Sequence, residues 1–196
     1  MKLFNTNIPL NIPNILSLYR LFSFPFILYL AILGQESVFV VLFVVNLITD
    51  LLDGWIARKF NMQTEIGAKI DSIADIGSFI LAVVGMFLFK SEEINYHIIS
   101  FSLFIGLFVF SNILSLIKFK RSPSLHLYSW KIGGYIMGFF YFYVFVIGFN
   151  TYVYYIMITW CILAFIEHII IQLLIKEMLV NAKGLYWVLK NRNSST

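Results

Sequence analysis

Four aspartates lie near one another in a very apolar chain, and together they could bind metal ions. They are Asp50, Asp53, Asp71 and Asp75. On helices the first two share a face, as do the last two, and the short connection 59–65 makes the helices antiparallel neighbours, so all four carboxylates can converge. Each aspartate at membrane depth costs roughly 2.5–3.5 kcal/mol on insertion scales, and four together also repel one another. We therefore expect bound cations, and hard oxygen ligands favour two Mg²⁺ or Mn²⁺ ions that could clamp a phosphoryl group.

Small residues and one arginine accompany the aspartates. Gly54 and Ala57 lie on the aspartate face of the first helix, and Gly67 begins an i, i+4, i+8 stripe with Asp71 and Asp75 on the second. Glycines at these positions leave room for a ligand against the backbone. The guanidinium of Arg58 could hold phosphate oxygens in a two-pronged contact. The pattern predicts a site for a phosphate-containing ligand beside the metals.

The rest of the chain must place this polar site in a membrane. Of its 196 residues, 60% are hydrophobic and 12% are charged. Apolar stretches of about 20 residues recur, long enough for helices to cross ~30 Å of hydrocarbon, without the strict alternation of a barrel. The sequence predicts an all-α integral membrane protein with six transmembrane helices at 14–34, 37–58, 66–89, 95–117, 127–149 and 152–176. We expect residues 1–13 to form an interfacial segment, 14–176 a six-helix membrane domain, and 177–196 a cytoplasmic interfacial tail.

The basic residues predict the orientation. Of the 14 Lys and Arg residues, all except Lys90 fall on one side of this arrangement or close to it. Because basic residues accumulate on the cytoplasmic side, we expect both termini and the aspartates at the cytoplasmic face of the inner membrane. The net charge of +4 then suits anionic lipid headgroups. The basic residues are scattered among helix ends, which argues against a nucleic-acid partner.

The motif resembles a known family. The spacing D-x2-D-G-x2-A-R-x8-G-x3-D-x3-D, from Asp50 to Asp75, is similar at every position to the signature of the CDP-alcohol phosphatidyltransferases. The resemblance implies a membrane homodimer with six helices per protomer. It also implies transfer of a phosphatidyl group from CDP-diacylglycerol to an alcohol, with release of CMP.

The resemblance also implies roles for single residues. The implied ligands of two metal ions are Asp50, Asp53, Asp71 and Asp75. Asp75 would in addition be the general base that takes the proton of the acceptor hydroxyl. The implied contacts to the CDP donor are Gly54, Ala57, Arg58 and Gly67.

The acceptor alcohol is less well determined by the sequence. Residues 11–25 (NIPNILSLYRLFSFP) are similar to the opening of phosphatidylglycerophosphate and cardiolipin synthases, which favours glycerol 3-phosphate. Residues 67–79 (GAKIDSIADIGSF) look more like serine-type synthases. The candidate ligands for an acceptor phosphate are Lys118, Arg121 and Lys131. Lys131 matches a lysine of the glycerophosphate-type enzymes, whereas the Thr and Gln that usually follow it are missing, so inositol phosphate, serine and phosphatidylglycerol stay open as acceptors.

Other interpretations of the acidic cluster belong to different classes. A divalent-metal transporter is one alternative, since acidic residues inside membranes also mark ion pathways. Ordinary ion pairs at a helix end, with Arg58 and Lys59, are another, but they do not account for Asp71 and Asp75.

Two further charged positions have open roles. Arg20, two turns inside the first span, could snorkel to the inner surface or act in the cleft. Glu167 lies inside the sixth span, and we expect it to pair with a basic residue such as Lys131.

Overall fold

The computed structural model describes residues 11–120, 127–175 and 182–193, and all regular structure within these ranges is helical. The helices in chain order are α1 (Ile12–Ile32), α2 (Glu36–Lys59), α3 (Glu65–Phe89), α4 (Ser91–Tyr96), α5 (Ile98–Phe119), α6 (Tyr128–Val146), α7 (Thr151–Leu174) and α8 (Leu185–Asn193). The predicted all-α class is confirmed. Each predicted span corresponds to one long helix, with ends that differ by a few residues.

Five of these helices are long and apolar enough to cross a membrane: α1, α2, α3, α5 and α7. The helix over the fifth predicted span, α6, is not among them. It carries Lys131, together with Ser129 and the glycine pair at 133–134, and these residues lower its hydropathy. The described part of the chain thus has five membrane-spanning candidates and a sixth long helix, α6, that is not one of them.

The first of two structural units covers Met1–Glu92, and in it α1 packs against both α2 and α3. α1 begins after Asn11, whose side-chain oxygen accepts a hydrogen bond from a backbone N–H three residues later, and Pro13 fits the first turn because it has no N–H to satisfy. The Asn11 amide also donates to the Met62 carbonyl at 2.9 Å. α3 begins after Thr64, whose hydroxyl accepts from the Gly67 N–H at 3.0 Å. These caps tie the start of α1 to the α2–α3 connection.

Apolar side chains hold the three helices together away from the polar end. Buried examples from all three are Ile27, Ala31, Phe39, Phe43, Leu81 and Met86. α1 and α3 approach closely at Gly77, where an added Cβ would lie 3.2 Å from the Phe24 ring. The absence of a side chain at Gly77 therefore brings the helix that carries Arg20 against the helix that carries Asp71 and Asp75.

The lysine predicted on the outer side, Lys90, has a carboxylate partner in the structure. Lys90 Nζ donates to Glu36 Oε1 at 2.8 Å. Glu36 begins α2 and Lys90 follows the end of α3, so this pair lies at the end of the unit opposite to Asp53. The pair explains how a lone lysine is accommodated at this end.

The second unit covers Glu93–Thr196, and in it α7 packs against α5, α6 and α8. A buried network links α5 to α7. His168 Nδ1 lies 2.6 Å from the hydroxyl of Ser111, and the Gln172 amide donates to the Ser111 carbonyl at 3.3 Å. All three side chains are buried. Because buried polar groups must be paired, this network fixes the position of α5 along α7.

The C-terminal helix docks onto the same unit. Its anchoring cluster consists of Leu127, Ile171, Ile175, Ala182 and Val188. In addition, the Tyr128 N–H donates to the Lys183 carbonyl at 3.0 Å. The described part of the predicted tail is therefore packed on α6 and α7.

Candidate functional site

The structure brings all four aspartates of the motif together at one end of the first unit. Asp50 and Asp53 lie one turn apart on α2, and Asp71 and Asp75 lie one turn apart on α3. Asp53 is 4% exposed, whereas the side chains of Asp50, Asp71 and Asp75 are 48%, 41% and 53% exposed. One carboxylate therefore forms the floor of the site, and three line its open side.

A fifth charged residue, Arg20 of α1, lies between the four aspartates. Its side chain is fully buried. One terminal nitrogen donates to Asp50 and, at 2.9 Å, to Asp75. The other donates to Asp71 and, at 2.9 Å, to Asp53. Of the two roles considered for Arg20 from the sequence, the structure therefore supports the one inside the site and not snorkelling to the surface.

Arg20 and a nearby serine are the site residues that sequence reasoning did not place. Ser17 Oγ lies 3.0 Å from Asp53 Oδ2 and 3.2 Å from the Pro13 carbonyl, and Ser17 is buried. Asn14, Ser17 and Arg20 recur every third residue in an apolar span. This polar i, i+3, i+6 stripe is the sequence signal that identifies α1 as the third wall of the site.

The charges and ligand atoms of the site fit divalent cations. Carboxylate oxygens of Asp50, Asp53 and Asp71 all lie within 4.8 Å of one another. With Asp75 they carry four formal negative charges, against one positive charge on Arg20. Hard oxygen donors with excess negative charge are the ligands that Mg²⁺ and Mn²⁺ prefer. The donor set therefore suits these ions.

The residues expected at the donor are present at the same end, but two of the expected gaps are filled. An added Cβ at Gly67 would lie 2.1 Å from Asn14 Oδ1, so the space beside this glycine holds the Asn14 side chain. At Gly54 the corresponding distance to an Arg58 guanidinium nitrogen is 3.2 Å. Arg58 is exposed and folds back over Gly54, while Ala57 is partly buried one turn along. The glycines thus provide close packing for Asn14 and Arg58 in this state.

The candidate acceptor ligands belong to the second unit. Lys118 Nζ donates to the Gln172 and Leu173 carbonyls at 2.7 and 3.0 Å, so it caps the C-terminal end of α7. Lys131 is exposed, and its ammonium lies 5.9 Å from the centre of the Tyr128 ring. Arg121 lies outside the described residues.

The expected pairing of Glu167 with Lys131 is wrong. Glu167 accepts hydrogen bonds from the Ser129 hydroxyl and, at 2.8 Å, from the Leu185 N–H. Leu185 is the first residue of α8. Because a carboxylate is stabilised by the free N–H groups at a helix start, the Ser129 hydroxyl and the start of α8 satisfy Glu167, and no basic partner contacts it among the described residues.

Sequence comparisons give relatives that match part of the chain. Three proteins named CDP-diacylglycerol–glycerol-3-phosphate 3-phosphatidyltransferase are similar to it. The Aquifex aeolicus (strain VF5) protein is 35% identical over 86 residues, which is 44% of this chain and 48% of the relative. That of Wigglesworthia glossinidia brevipalpis is 38% identical over 82 residues (40% and 43%), and that of Rickettsia typhi (strain ATCC VR-144 / Wilmington) is 34% identical over 88 residues (43% and 48%). The chain thus spans about half the length of the curated relatives that it matches, and no solved structure matches it.

The match to a protein family is longer. The family model described as CDP-alcohol phosphatidyltransferase matches residues 10–180. This range includes the four aspartates, Arg20 and all the long helices of both units. The chain belongs to the CDP-alcohol phosphatidyltransferase family.

Proposed function

We propose that this chain transfers a phosphatidyl group from CDP-diacylglycerol to an alcohol and releases CMP, as a step of phospholipid synthesis. The observation that carries the proposal is the convergence of four motif aspartates from α2 and α3 on one site. A diphosphate donor needs its negative charge neutralised before CMP can leave. An acidic site that fits dications can supply this neutralisation, whereas a site lined by paired charges alone cannot.

The proposed acceptor is glycerol 3-phosphate. The names of the similar proteins support this choice, as does the resemblance of residues 11–25 to phosphatidylglycerophosphate synthases. Of the candidate acceptor ligands, Lys131 suits a phosphate better than Lys118, because Lys118 is already bonded to two carbonyls. An exposed ammonium with only a distant ring contact can exchange that contact for an anion.

Asp75 is the proposed general base. It is the most exposed of the four carboxylates, so an acceptor hydroxyl can reach it. The hydroxyl oxygen forms a bond to the phosphorus that carries the diacylglycerol, and its proton passes to an Asp75 oxygen. The bond from that phosphorus to the CMP oxygen breaks, and CMP leaves with the electron pair.

The proposed metal ligands are Asp50, Asp53, Asp71 and Asp75. Two Mg²⁺ or Mn²⁺ ions bound there would supply charge neutralisation for the diphosphate. Asp53 is held in place by Ser17, so it gives the site a fixed side against which the more exposed carboxylates can adjust.

The proposed donor contacts are Arg58, Gly54, Ala57 and Gly67. Arg58 is exposed at the end of α2, where its guanidinium can turn from Gly54 towards a diphosphate. Its departure would open the backbone at Gly54 to the nucleotide. Gly67 becomes open to a ligand only if the Asn14 side chain moves.

The proposed membrane arrangement has six spans. The span added to the five candidates is α6, which is supported by its 19-residue length and by the apolar stretch that follows Lys131. Both termini and the aspartates lie on the cytoplasmic side of the inner membrane, as the distribution of basic residues indicates. The active form is a homodimer, as the family resemblance suggests.

A product assay tests this function. The purified protein receives CDP-diacylglycerol and Mg²⁺ or Mn²⁺, together with glycerol 3-phosphate, inositol phosphate, serine or phosphatidylglycerol in separate reactions, and mass spectrometry identifies the lipid. We expect phosphatidylglycerophosphate and an equal amount of CMP. A different lipid product would show that the acceptor is the alcohol found in that lipid and not glycerol 3-phosphate. If no lipid product forms and the metal ion crosses proteoliposome membranes, the protein is a divalent-metal transporter and the proposed function is wrong.

Variants of the same assay test the catalytic assignment. Asp75→Asn is expected to lower kcat by about 10²–10⁴, the range for loss of a general base. Its matched control is Glu65→Gln on the same helix, because Glu65 is 85% exposed and pairs only with Lys69 in the described part of the chain. The control should retain full activity. An Asp75→Asn variant as active as Glu65→Gln would refute the assignment.

A further inference from the structure

The guanidinium of Arg20 contacts the same carboxylates that are proposed to hold the metal ions. Its two terminal nitrogens reach an oxygen of each aspartate: Oδ1 of Asp50, Oδ2 of Asp53, Oδ1 of Asp71 and Oδ1 of Asp75. The contacts come from both α2 and α3. Arg20 is therefore a cation built into the position from which all four ligands can be reached.

This cation does not balance the charge around it. Arg20 carries one positive charge, and the four aspartates carry four negative charges. Carboxylates this close repel one another unless a cation separates them. Among the described residues, Arg20 is the cation that contacts all four carboxylates, and the remaining negative charge still attracts further cations.

The position of Arg20 also leaves part of its own side chain unsatisfied. Its Nε is buried and has no hydrogen-bond partner in the described part of the chain. A buried donor without a partner is destabilising. Arg20 therefore binds the four aspartates through its terminal nitrogens while its Nε stays without a hydrogen bond to the described residues.

Arg20 and bound dications compete for the same oxygens. Both need the carboxylate atoms that face the centre of the site, and a guanidinium beside a dication is repelled by it. Occupation by one therefore weakens occupation by the other.

We propose that Arg20 is a positioning residue that holds the four aspartates together without metal and gives up their oxygens when dications bind. This inference rests on the proposed function, since it takes the aspartates as the metal ligands. The new element is that Arg20 holds the metal-free site together and competes with the metal ions for the carboxylate oxygens, which lowers metal affinity. Loading with metal then releases a positively charged side chain next to an anionic donor.

Metal binding without substrate tests the inference. Free Mn²⁺ is measured by electron paramagnetic resonance as it is titrated into purified wild type, Arg20→Gln, Arg20→Lys and the control Lys69→Gln, whose side chain is 71% exposed. We expect Arg20→Gln to bind Mn²⁺ about tenfold more tightly or better, because a like charge is removed from a buried position. Arg20→Lys keeps the charge but cannot reach four carboxylates, so its affinity should lie between wild type and Arg20→Gln. Lys69→Gln should match wild type.

Thermal unfolding of the same proteins separates competition from a purely structural role. Without metal, Arg20→Gln should unfold at a lower temperature than wild type, because the carboxylates lose their only contact cation among the described residues. Saturating Mn²⁺ should remove this difference in unfolding temperature between Arg20→Gln and wild type. A structural arginine would instead lower both unfolding temperature and Mn²⁺ affinity when replaced.

The outcomes are distinct. Equal or weaker Mn²⁺ binding by Arg20→Gln overturns the inference, while the proposed function stands if wild type binds Mn²⁺. If Arg20→Gln cannot be purified, Mn²⁺ binding by Arg20→Lys that is equal to or weaker than that of wild type overturns the inference in the same way. Lack of Mn²⁺ binding by wild type and Lys69→Gln would overturn the metal site, and the inference with it.

Discussion

Replacement of Gly67 by alanine tests how closely α1 packs against the start of α3. Gly67 lies in the first turn of α3, directly beside Asn14. A Cβ at this position would lie 2.1 Å from Asn14 Oδ1 and 2.7 Å from Thr64 Oγ1. Neither atom can stay in place at these distances. Asn14 is buried, and the Thr64 hydroxyl caps the helix, so both adjustments are costly.

The expected cost combines three effects. Overpacking of a well-packed interior costs about 1–3 kcal/mol, and a disturbed N-cap costs about 0.5–2 kcal/mol. Alanine in place of glycine in a helix returns about 1 kcal/mol. We expect a net destabilisation of about 1–3 kcal/mol. At about 2–4 °C for each kcal/mol in a chain of this size, the unfolding temperature should fall by several degrees.

The assay is thermal unfolding of the purified protein in detergent, with two comparison variants. Gly106→Ala in α5 is the matched control, because a Cβ there would meet nothing within 4 Å, and it should be neutral or slightly stabilising. In an Asn14→Ala background, Gly67→Ala should cost much less, because the nearest clash is gone. A Gly67→Ala variant as stable as Gly106→Ala would refute the packing argument.

Two other predictions concern the second unit. Lys131→Gln should raise KM for glycerol 3-phosphate with little change in kcat. Lys118→Gln removes a cap of α7, so it should lower the unfolding temperature and leave KM unchanged. A raised KM in Lys118→Gln and an unchanged KM in Lys131→Gln would contradict the assignment of Lys131 to the acceptor phosphate. Glu167→Gln should weaken the charge-assisted bond to the Leu185 N–H by about 1–2 kcal/mol and speed limited proteolysis around 182–184. Glu92→Gln, an exposed acid, is its control, and equal cleavage rates in the two would show that Glu167 does not hold α8.

The sequence predicted the helices and the convergence of the four aspartates because both depend on local patterns. Apolar stretches of about 20 residues define spans regardless of how the spans pack. The motif aspartates are spaced to share helix faces, and the short connection 59–65 brings the two faces together. No long-range information was needed to bring Asp50 and Asp53 near Asp71 and Asp75.

Contacts between distant parts of the chain were not predicted. Arg20 is separated from Asp75 by 55 positions, and only the packing of α1 against both α2 and α3 decides that it points into the site. Similarly, Gly67 was expected to leave room for a ligand, but that room holds Asn14. A glycine in the sequence indicates that another group can approach the backbone closely, but it does not indicate which group does so.

The partner of Glu167 shows the same limit in the second unit. An acid inside a predicted span suggests a basic partner, and Lys131 was the available candidate. The structure instead uses a hydroxyl and the first N–H of α8. A helix end that docks from the far end of the chain offers positive charge that no residue type reveals.

Metal dependence of CMP release is the most direct test of the central claim, that the four aspartates hold dications for phosphatidyl transfer. The initial rate is measured with CDP-diacylglycerol and glycerol 3-phosphate after treatment with a chelator, and again as Mg²⁺ or Mn²⁺ is added back. We predict that chelation abolishes CMP release in wild type, that either ion restores it, and that Asp71→Asn stays inactive throughout. An unchanged rate after complete chelation, or an Asp71→Asn variant with wild-type turnover, would contradict the claim.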